Sequence, residues 1–187
     1  MSGLLDPTCA VNPLRSQRPE KISRAEEEPR GYVLFMDENI SYELEGDSIQ
    51  AIDKRTSQRL WVQQPYGCCI NEPSVVTDKL LIVHGNPVVG WVQAFDRHTG
   101  GLVWQYDANS VVSNLAMGDK AVVYFVTEEA HLVAVDGHTG QELGRVEFGT
   151  AATTDQSTAY DVTASQDFVL VYMGDGQKLF AFRFFGG

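Results

Sequence analysis

The chain has 187 residues, of which 43% are hydrophobic and 10% aromatic, and its formal net charge is −11. This length and composition are those of one globular domain with a sizeable core. The acidic excess repels phosphate groups, so we expect neither nucleic-acid binding nor attachment to an anionic membrane surface. We also expect no membrane insertion.

Residues 1–30 differ in composition from the rest. They hold four of the seven prolines and equal numbers of acidic and basic side chains, with few large apolar residues. Such a segment cannot bury enough surface to offset the entropy of ordering, so we expect a disordered arm or one that orders against a partner. It has no apolar core of a signal peptide. We therefore expect a cytoplasmic protein, or a periplasmic one only if the true N-terminus lies upstream of Met1.

Residues 31–187 alternate short β-branched and aromatic stretches with turn residues, which predicts an all-β domain. The strands fall into four units. The predicted strands are Tyr32–Met36, Ile40–Glu45, Ser48–Asp53 and Arg59–Gln63; Cys68–Val76, Leu80–His84, Gly90–Phe95 and Leu102–Tyr106; Val111–Ala116, Ala121–Thr127, His131–Val135 and Glu142–Phe148; Tyr160–Thr163, Phe168–Met173 and Lys178–Phe184. The fourth unit lacks its last strand.

A motif near the end of each unit sets the period. Its alanine recurs at Ala51, Ala94, Ala134 and Ala181, at intervals of 40 to 47 residues. A four-stranded propeller blade needs about 40–45 residues, so the period predicts one blade per unit. Within the motif, aspartate can accept hydrogen bonds from amides further along the turn, and glycine accepts a positive φ.

These residues resemble the PQQ-like propeller repeat, which occurs in quinoprotein alcohol dehydrogenases and outer-membrane assembly propellers. The mark of that family is Ala-x-Asp-x-x-Thr-Gly-x-x-x-Trp, whose tryptophan docks between adjacent blades. The matching residues are Ala51, Asp53, Thr56 and Trp61; Ala94, Asp96, Thr99, Gly100 and Trp104; Ala134, Asp136, Thr139 and Gly140. Three positions depart from the mark, where Ser57 replaces glycine, Gly144 replaces tryptophan, and Arg183 replaces aspartate.

The incomplete fourth unit predicts association, because an unpaired strand edge is normally closed, covered or paired. Four blades can close into a small ring, or two copies can combine into one eight-bladed ring, or the blades can pack onto another protein. We therefore expect a protein partner or a homo-oligomer.

Adjacent cysteines at Cys68 and Cys69 are the sharpest candidate for chemistry. The resemblance implies an alternative function through them, because quinoprotein methanol dehydrogenases place a vicinal cysteine pair against PQQ, with calcium nearby. That family also has an arginine shortly after the pair, whereas residues 70–76 of this chain contain none. A second interpretation is two small thiols on opposite faces of a strand. We expect a non-catalytic interaction or structural subunit without a cofactor; the alternative is a partial quinoprotein dehydrogenase.

Overall fold

A computed structural model describes residues 32–66, 70–85, 90–149, 160–174 and 178–183, with the side chains of residues 71–73 excepted. The predicted arm at residues 1–30 and the pair Cys68 and Cys69 lie outside these ranges. The described chain is mostly β-strand, and its one helical element is a 3-10 turn at Asp119–Ala121. Within the same ranges, no helix has the length and apolar character needed to cross a bilayer.

Fifteen strands run through the described ranges. In chain order they are β1 (Tyr32–Met36), β2 (Ile40–Glu45), β3 (Ser48–Asp53), β4 (Arg59–Gln63), β5 (Ile70–Val76), β6 (Leu80–Gly85), β7 (Trp91–Asp96), β8 (Leu102–Asp107), β9 (Ala116–Met117), β10 (Val122–Val126), β11 (His131–Asp136), β12 (Glu142–Glu147), β13 (Tyr160–Ala164), β14 (Phe168–Met173) and β15 (Lys178–Arg183).

Consecutive strands pair into four antiparallel sheets. Strands β1–β4 form blade 1, β5–β8 form blade 2 and β9–β12 form blade 3, while blade 4 has three strands in the described residues, β13–β15. Neighbours in the chain are neighbours in the sheet, so each blade is a simple meander. The prediction of an all-β propeller with about four blades is confirmed, although none of the described sheets closes on itself.

The same irregularity recurs in the first three blades. The pairing of third and fourth strands shifts register directly after the motif alanine, at Ala51, Ala94 and Ala134. A β-bulge of this kind adds one residue to the outer strand and increases the local twist. The turn and the residue opposite the alanine therefore occupy equivalent positions in all three blades.

Each pair of neighbouring blades shares one apolar core, which we call a seam. Seam 1–2 contains Tyr42 and Trp61 of blade 1 with Trp91 and Phe95 of blade 2. The side chains on the opposite face of blade 2 contribute to seam 2–3. Blades 3 and 4 share the third core. This follows from the period of two along a strand, which sends successive side chains to opposite faces of the sheet.

The first strand of blade 3 is shorter than predicted. The sequence predicts a strand over Val111–Ala116, whereas β9 covers only Ala116–Met117. Before it, Val111 and Ser113 form single bridges to Thr127 and Tyr160. The prediction was wrong here because the Ser113 hydroxyl takes the place of a ladder partner, accepting a hydrogen bond from the Val126 amide at 2.8 Å.

Candidate interaction site

The aspartate of each motif organises the turn between the third and fourth strands. Asp53 Oδ1 accepts hydrogen bonds from the amides of Arg55 and Thr56 at 2.9 and 2.7 Å. Asp96 makes the equivalent bonds to the amides of His98 and Thr99, and the same pattern recurs at Asp136. The hydrogen bond from the amide three residues further along, that of Thr56 or Thr99, is the main cause that lowers the pKa of Asp53 and Asp96.

The motif glycines lie directly beneath a tryptophan of the preceding blade. Gly100 has φ +74, and a Cβ there would lie 2.7 Å from Cδ2 of Trp61. Gly140 has φ +72, and its Cβ would lie 2.6 Å from Cε3 of Trp104. Glycine is therefore needed twice over, for the left-handed backbone and for the close approach of the indole ring.

Ser57 occupies the glycine position of blade 1 and keeps the same left-handed backbone, with φ 57. Its side chain is exposed, because no described blade precedes blade 1 and no tryptophan covers this turn. Among blades 1 to 3, serine thus replaces the motif glycine only in blade 1, whose turn has no tryptophan ring packed on it.

Both tryptophans are fixed by a hydrogen bond across their seam. Trp61 Nε1 donates to the Arg97 carbonyl, and Trp104 Nε1 donates to the Gly137 carbonyl, each at 3.0 Å. The motif alanines pair directly with them, Ala51 with Trp61 and Ala94 with Trp104. A small side chain beside the indole leaves room for the ring to lie over the next blade.

Arg97 connects blades 1 and 2, a role that no sequence motif indicates. Its Nε donates to the Tyr42 hydroxyl and one Nη to the Thr77 carbonyl, both at 3.0 Å. The other Nη forms an ion pair with Asp37, and the guanidinium lies over the Tyr42 ring. One side chain therefore bonds both sides of the seam.

Replacing this guanidinium is expected to weaken seam 1–2. Arg97→Met keeps the length of the side chain but leaves partly buried acceptors unpaired, so we expect a loss of about 1–3 kcal/mol in the free energy of unfolding. Lys54→Met is the matched control, because Lys54 follows Asp53 as Arg97 follows Asp96 but is exposed; its effect should stay within about 0.5 kcal/mol. Urea melts that show equal losses for the two variants would contradict this role.

A second polar cluster joins blades 2 and 3. The Tyr106 hydroxyl donates to Glu142, and Arg145 bonds both Glu142 oxygens at 2.6 and 2.8 Å. Arg145 and then Tyr106 hold the pKa of Glu142 at about 2, while burial and Glu142 raise the pKa of Tyr106 to about 12. The carboxylate thus stays charged, and the phenol protonated, throughout the physiological range.

Seam 3–4 has no docked tryptophan, because Gly144 stands opposite Ala134. An aromatic cluster takes that place, in which the Phe148 ring lies 5.0 to 5.9 Å from the rings of Tyr160, Phe180 and Phe182. The side chain of Asn114 also bonds the backbone N–H and carbonyl of Val162 in blade 4, at 2.7 and 2.8 Å.

His84 is a buried titratable group in blade 2, 1% exposed. Burial lowers its pKa to about 4, although a hydrogen bond between Nδ1 and the Gly85 carbonyl partly opposes this. Folding therefore favours the neutral imidazole of His84. Its contribution to the free energy of unfolding is fully present above pH 6.5, the pKa of histidine in the unfolded chain. It is lost as pH falls from 6.5 through about 4.

We expect the free energy of unfolding to fall by up to about 3 kcal/mol over that interval. His84→Leu should flatten the profile there, because leucine does not titrate. Leucine should also fit the site, since the equivalent positions in blades 1 and 3 are Leu44 and Val126. Denaturant melts at half-unit pH steps measure this. An unchanged slope in the variant would contradict the assignment to His84.

An open pocket with a volume of about 570 Å³ lies among blades 1, 2 and 3, and its lining includes Phe35 of blade 1, Lys79 and Arg97 of blade 2 and His138 of blade 3. The Arg97 guanidinium there is already bonded within seam 1–2. Among the described residues, no three His, Cys, Asp or Glu side chains group as a metal site. His98 and His138 lie on the turns of different blades, as their motif positions predict.

The face of blade 4 that points away from seam 3–4 has an uncovered apolar patch on β14 and β15, beside the exposed Asp161 and Thr163 of β13. We call it the open face and define it by Phe168, Leu170, Tyr172, Leu179 and Ala181. The four large side chains are 46%, 37%, 40% and 64% exposed, in that order. Alternate residues of the same strands, such as Val169 and Val171, are buried in seam 3–4. An exposed contiguous apolar surface of this kind is typical of an interaction site.

Comparison with known proteins identifies the repeat. A family model described as outer membrane protein assembly factor BamB matches residues 88–183, just over half of the chain. No curated protein matches.

Solved structures share the fold. BamB from Moraxella catarrhalis is 19% identical, with a TM-score of 0.51 over 76% of this chain and 46% of that one. The β-propeller domain of Myceliophteria thermophila Cps50 (Swd1) is 10% identical, with a TM-score of 0.61 over 79% of this chain and 50% of that one. The computationally designed Ika4 protein is 16% identical, with a TM-score of 0.64 over 85% of this chain and 95% of that one.

The chain thus spans about half the length of the BamB and Cps50 structures. The structural likeness shows the fold alone, and the family model, which matches residues 88–183, shows the family. The chain belongs to the PQQ-like β-propeller repeat family that the BamB model represents.

Proposed function

We propose that the chain is a non-catalytic propeller subunit that acts through protein–protein contacts made by the open face of blade 4. The observation that carries this proposal is the exposure of apolar side chains at positions that are covered in the other blades. Leu179 is 64% exposed, whereas its equivalents Ile49, Val92 and Leu132 are 0%, 0% and 1% exposed. The family description, an assembly factor, is consistent with a role in contacting other proteins.

Site-specific photo-crosslinking tests the proposal. A photoreactive phenylalanine analogue at Tyr172, on the open face, is expected to give one discrete protein adduct in cells. The same analogue at Tyr66, which is 74% exposed and lies outside that face, is the matched control and should give none. Equal crosslinking at the two positions, or none at either, would reject the open face as the contact surface.

The alternative function is a partial PQQ-dependent dehydrogenase, which the adjacent Cys68 and Cys69 favour. In the part of the chain that the structure describes, no three His, Cys, Asp or Glu side chains lie close enough together to hold a metal ion, so the proposal for this alternative rests on the cysteine pair. Titration of the chain with PQQ and calcium, followed by tryptophan fluorescence, separates the two functions. Saturable binding that is lost in the double variant Cys68→Ser, Cys69→Ser would favour the dehydrogenase.

A cytoplasmic location stays a prediction, for which fractionation of the source cell is the test.

A further inference from the structure

We infer that the open pocket among blades 1, 2 and 3 binds a small organic anion with an apolar body. Its volume of about 570 Å³ lies within the range of about 300–1,000 Å³ that is usual for small-molecule sites. The pocket shares no residue with the open face of blade 4, so this inference goes beyond the proposed function and does not depend on it. The pocket also lies past the end of β5, whereas Cys68 and Cys69 precede the start of that strand.

The walls of the pocket are held in place by hydrogen bonds between turns. Two turns meet at this end of each blade, one between its first and second strands and one between its third and fourth strands. In blade 2 the Arg97 amide donates to the Lys79 carbonyl at 2.9 Å. In blade 3 the Gly137 amide donates to the Ala121 carbonyl, also at 2.9 Å. The pocket is therefore formed before a ligand arrives, which lowers the entropic cost of binding.

Two glycines of blade 3 explain why this end of seam 2–3 is open. At the equivalent end of seam 1–2, the Arg97 side chain crosses to Asp37 of blade 1. The residue of blade 3 equivalent to Arg97 is Gly137, and a Cβ there would lie 2.4 Å from the Ala121 carbonyl oxygen. Gly118, which lines the pocket, stands where blade 1 has Asp37. No side chain at these two positions fills the end of seam 2–3, which leaves room for a ligand.

The polar side chains of the pocket favour an anion. Among the lining residues that the structure describes, Lys79, Arg97 and His138 face a single carboxylate, that of Asp78. Arg97 uses three of its five N–H groups within seam 1–2, and Asp37 balances its charge. Lys79 is exposed and forms no ion pair within the described ranges, so its charge is available. A negatively charged oxygen can thus pair with Lys79 and accept N–H groups from Arg97 and His138.

The rest of the lining includes apolar side chains that suit an uncharged ligand body. Phe35 and Val76 come from the first strands of blades 1 and 2, and Met117 of blade 3 is 39% exposed. Apolar walls with a few polar groups are typical of small-molecule sites, and methionine adapts to the shape of a ligand. Beside the pocket, the consecutive residues Lys120 and Ala121 have positive φ of 53 and 59, although neither is glycine. Such backbone strain concentrates at ligand sites.

Titration with 2-naphthoate, followed by the amide NMR shifts of the full chain, tests the inference. This probe joins a carboxylate to a rigid apolar ring system. We expect saturable shifts at residues 77–79 and 137–138, with a dissociation constant of about 1 mM or below. Neutral 2-naphthamide has nearly the same shape and should bind at least about tenfold more weakly, because it lacks the charge that pairs with Lys79. No saturable shift in these turns, or equal affinity for the two probes, overturns the inference.

Lys79→Glu reverses the charge at the pocket, so we expect the affinity for 2-naphthoate to fall at least about tenfold. Lys178→Glu is the matched control, because it makes the same change in net charge at an exposed lysine of blade 4, outside the lining. Its affinity should stay within about twofold of the wild-type value. Both lysines are exposed, so both variants should fold, and unchanged amide spectra away from the substitution verify this. Equal losses in the two variants, or an unchanged affinity in Lys79→Glu, overturn the inference.

Discussion

Trp104→Ala is expected to lower the free energy of unfolding by about 3–5 kcal/mol, the usual cost of truncating a buried large aromatic side chain. The side chain is 7% exposed and lies in the core of seam 2–3. Its Nε1 also donates to the Gly137 carbonyl across the seam. Removing it empties the space between Ala94 and Gly140, and backbone on both sides limits collapse of that space.

Trp104→Phe is the control that separates the ring from the hydrogen bond. It keeps an aromatic ring over Gly140 but loses the bond to Gly137, so the loss should be smaller than for alanine. Urea denaturation followed by circular dichroism measures both variants. A change below about 1 kcal/mol for Trp104→Ala would mean that the docked indole does not stabilise the seam.

Gly140→Ala is expected to lower the free energy of unfolding by about 2–5 kcal/mol, for two reasons. The backbone has φ +72, which disfavours any residue with a Cβ by about 1–2 kcal/mol. The new methyl group would also lie 2.6 Å from the Trp104 ring, and relieving that overlap costs about 1–3 kcal/mol.

Gly46→Ala isolates the first of these terms. Gly46 has a similar φ of +61, but a Cβ there meets nothing within 4 Å, so only the backbone cost should appear. A double-mutant cycle isolates the second term, since Gly140→Ala in the Trp104→Ala background should cost about as much as Gly46→Ala. Additive effects of Gly140→Ala and Trp104→Ala would contradict the contact.

The recurring parts of the fold were predictable because their causes are local. The span from Asp96 to Gly100 contains the side-chain acceptor, the amides that it bonds and the glycine with positive φ, so the turn is visible in five consecutive letters. The alternation of apolar and polar residues predicted the strand boundaries, and the predicted boundaries agree closely with the observed ones in blades 1 and 2. The repeat period then fixed how many such units the chain contains.

The polar contacts across the seams were not predictable, since their partners are far apart in the sequence. Arg97 lies 60 residues from Asp37 and 55 from Tyr42, and its counterparts in blades 1 and 3 are Lys54 and Gly137. No motif position therefore marks it. The short β9 was missed because Val111–Ala116 alternates like a strand, although Ser113 and Asn114 bond the backbone through their side chains.

The open face was visible only when blade faces could be compared. Phe168, Leu170 and Tyr172 alternate with valines in the sequence, and alternation alone does not distinguish which of two apolar faces is covered. The sequence predicted association from the missing strand of the fourth unit. The structure locates an apolar surface on that same blade.

The separation of the three seams has a consequence for local unfolding. Among the described residues, each apolar core joins only two neighbouring blades, so the array behaves as a one-dimensional series whose end units can open without disrupting the middle. Amide hydrogen exchange should therefore be slowest in β6 and β7 of blade 2, which is covered on both faces by tryptophan-docked seams. In the isolated chain, protection should decrease toward blade 4, which a phenylalanine cluster holds on one side only.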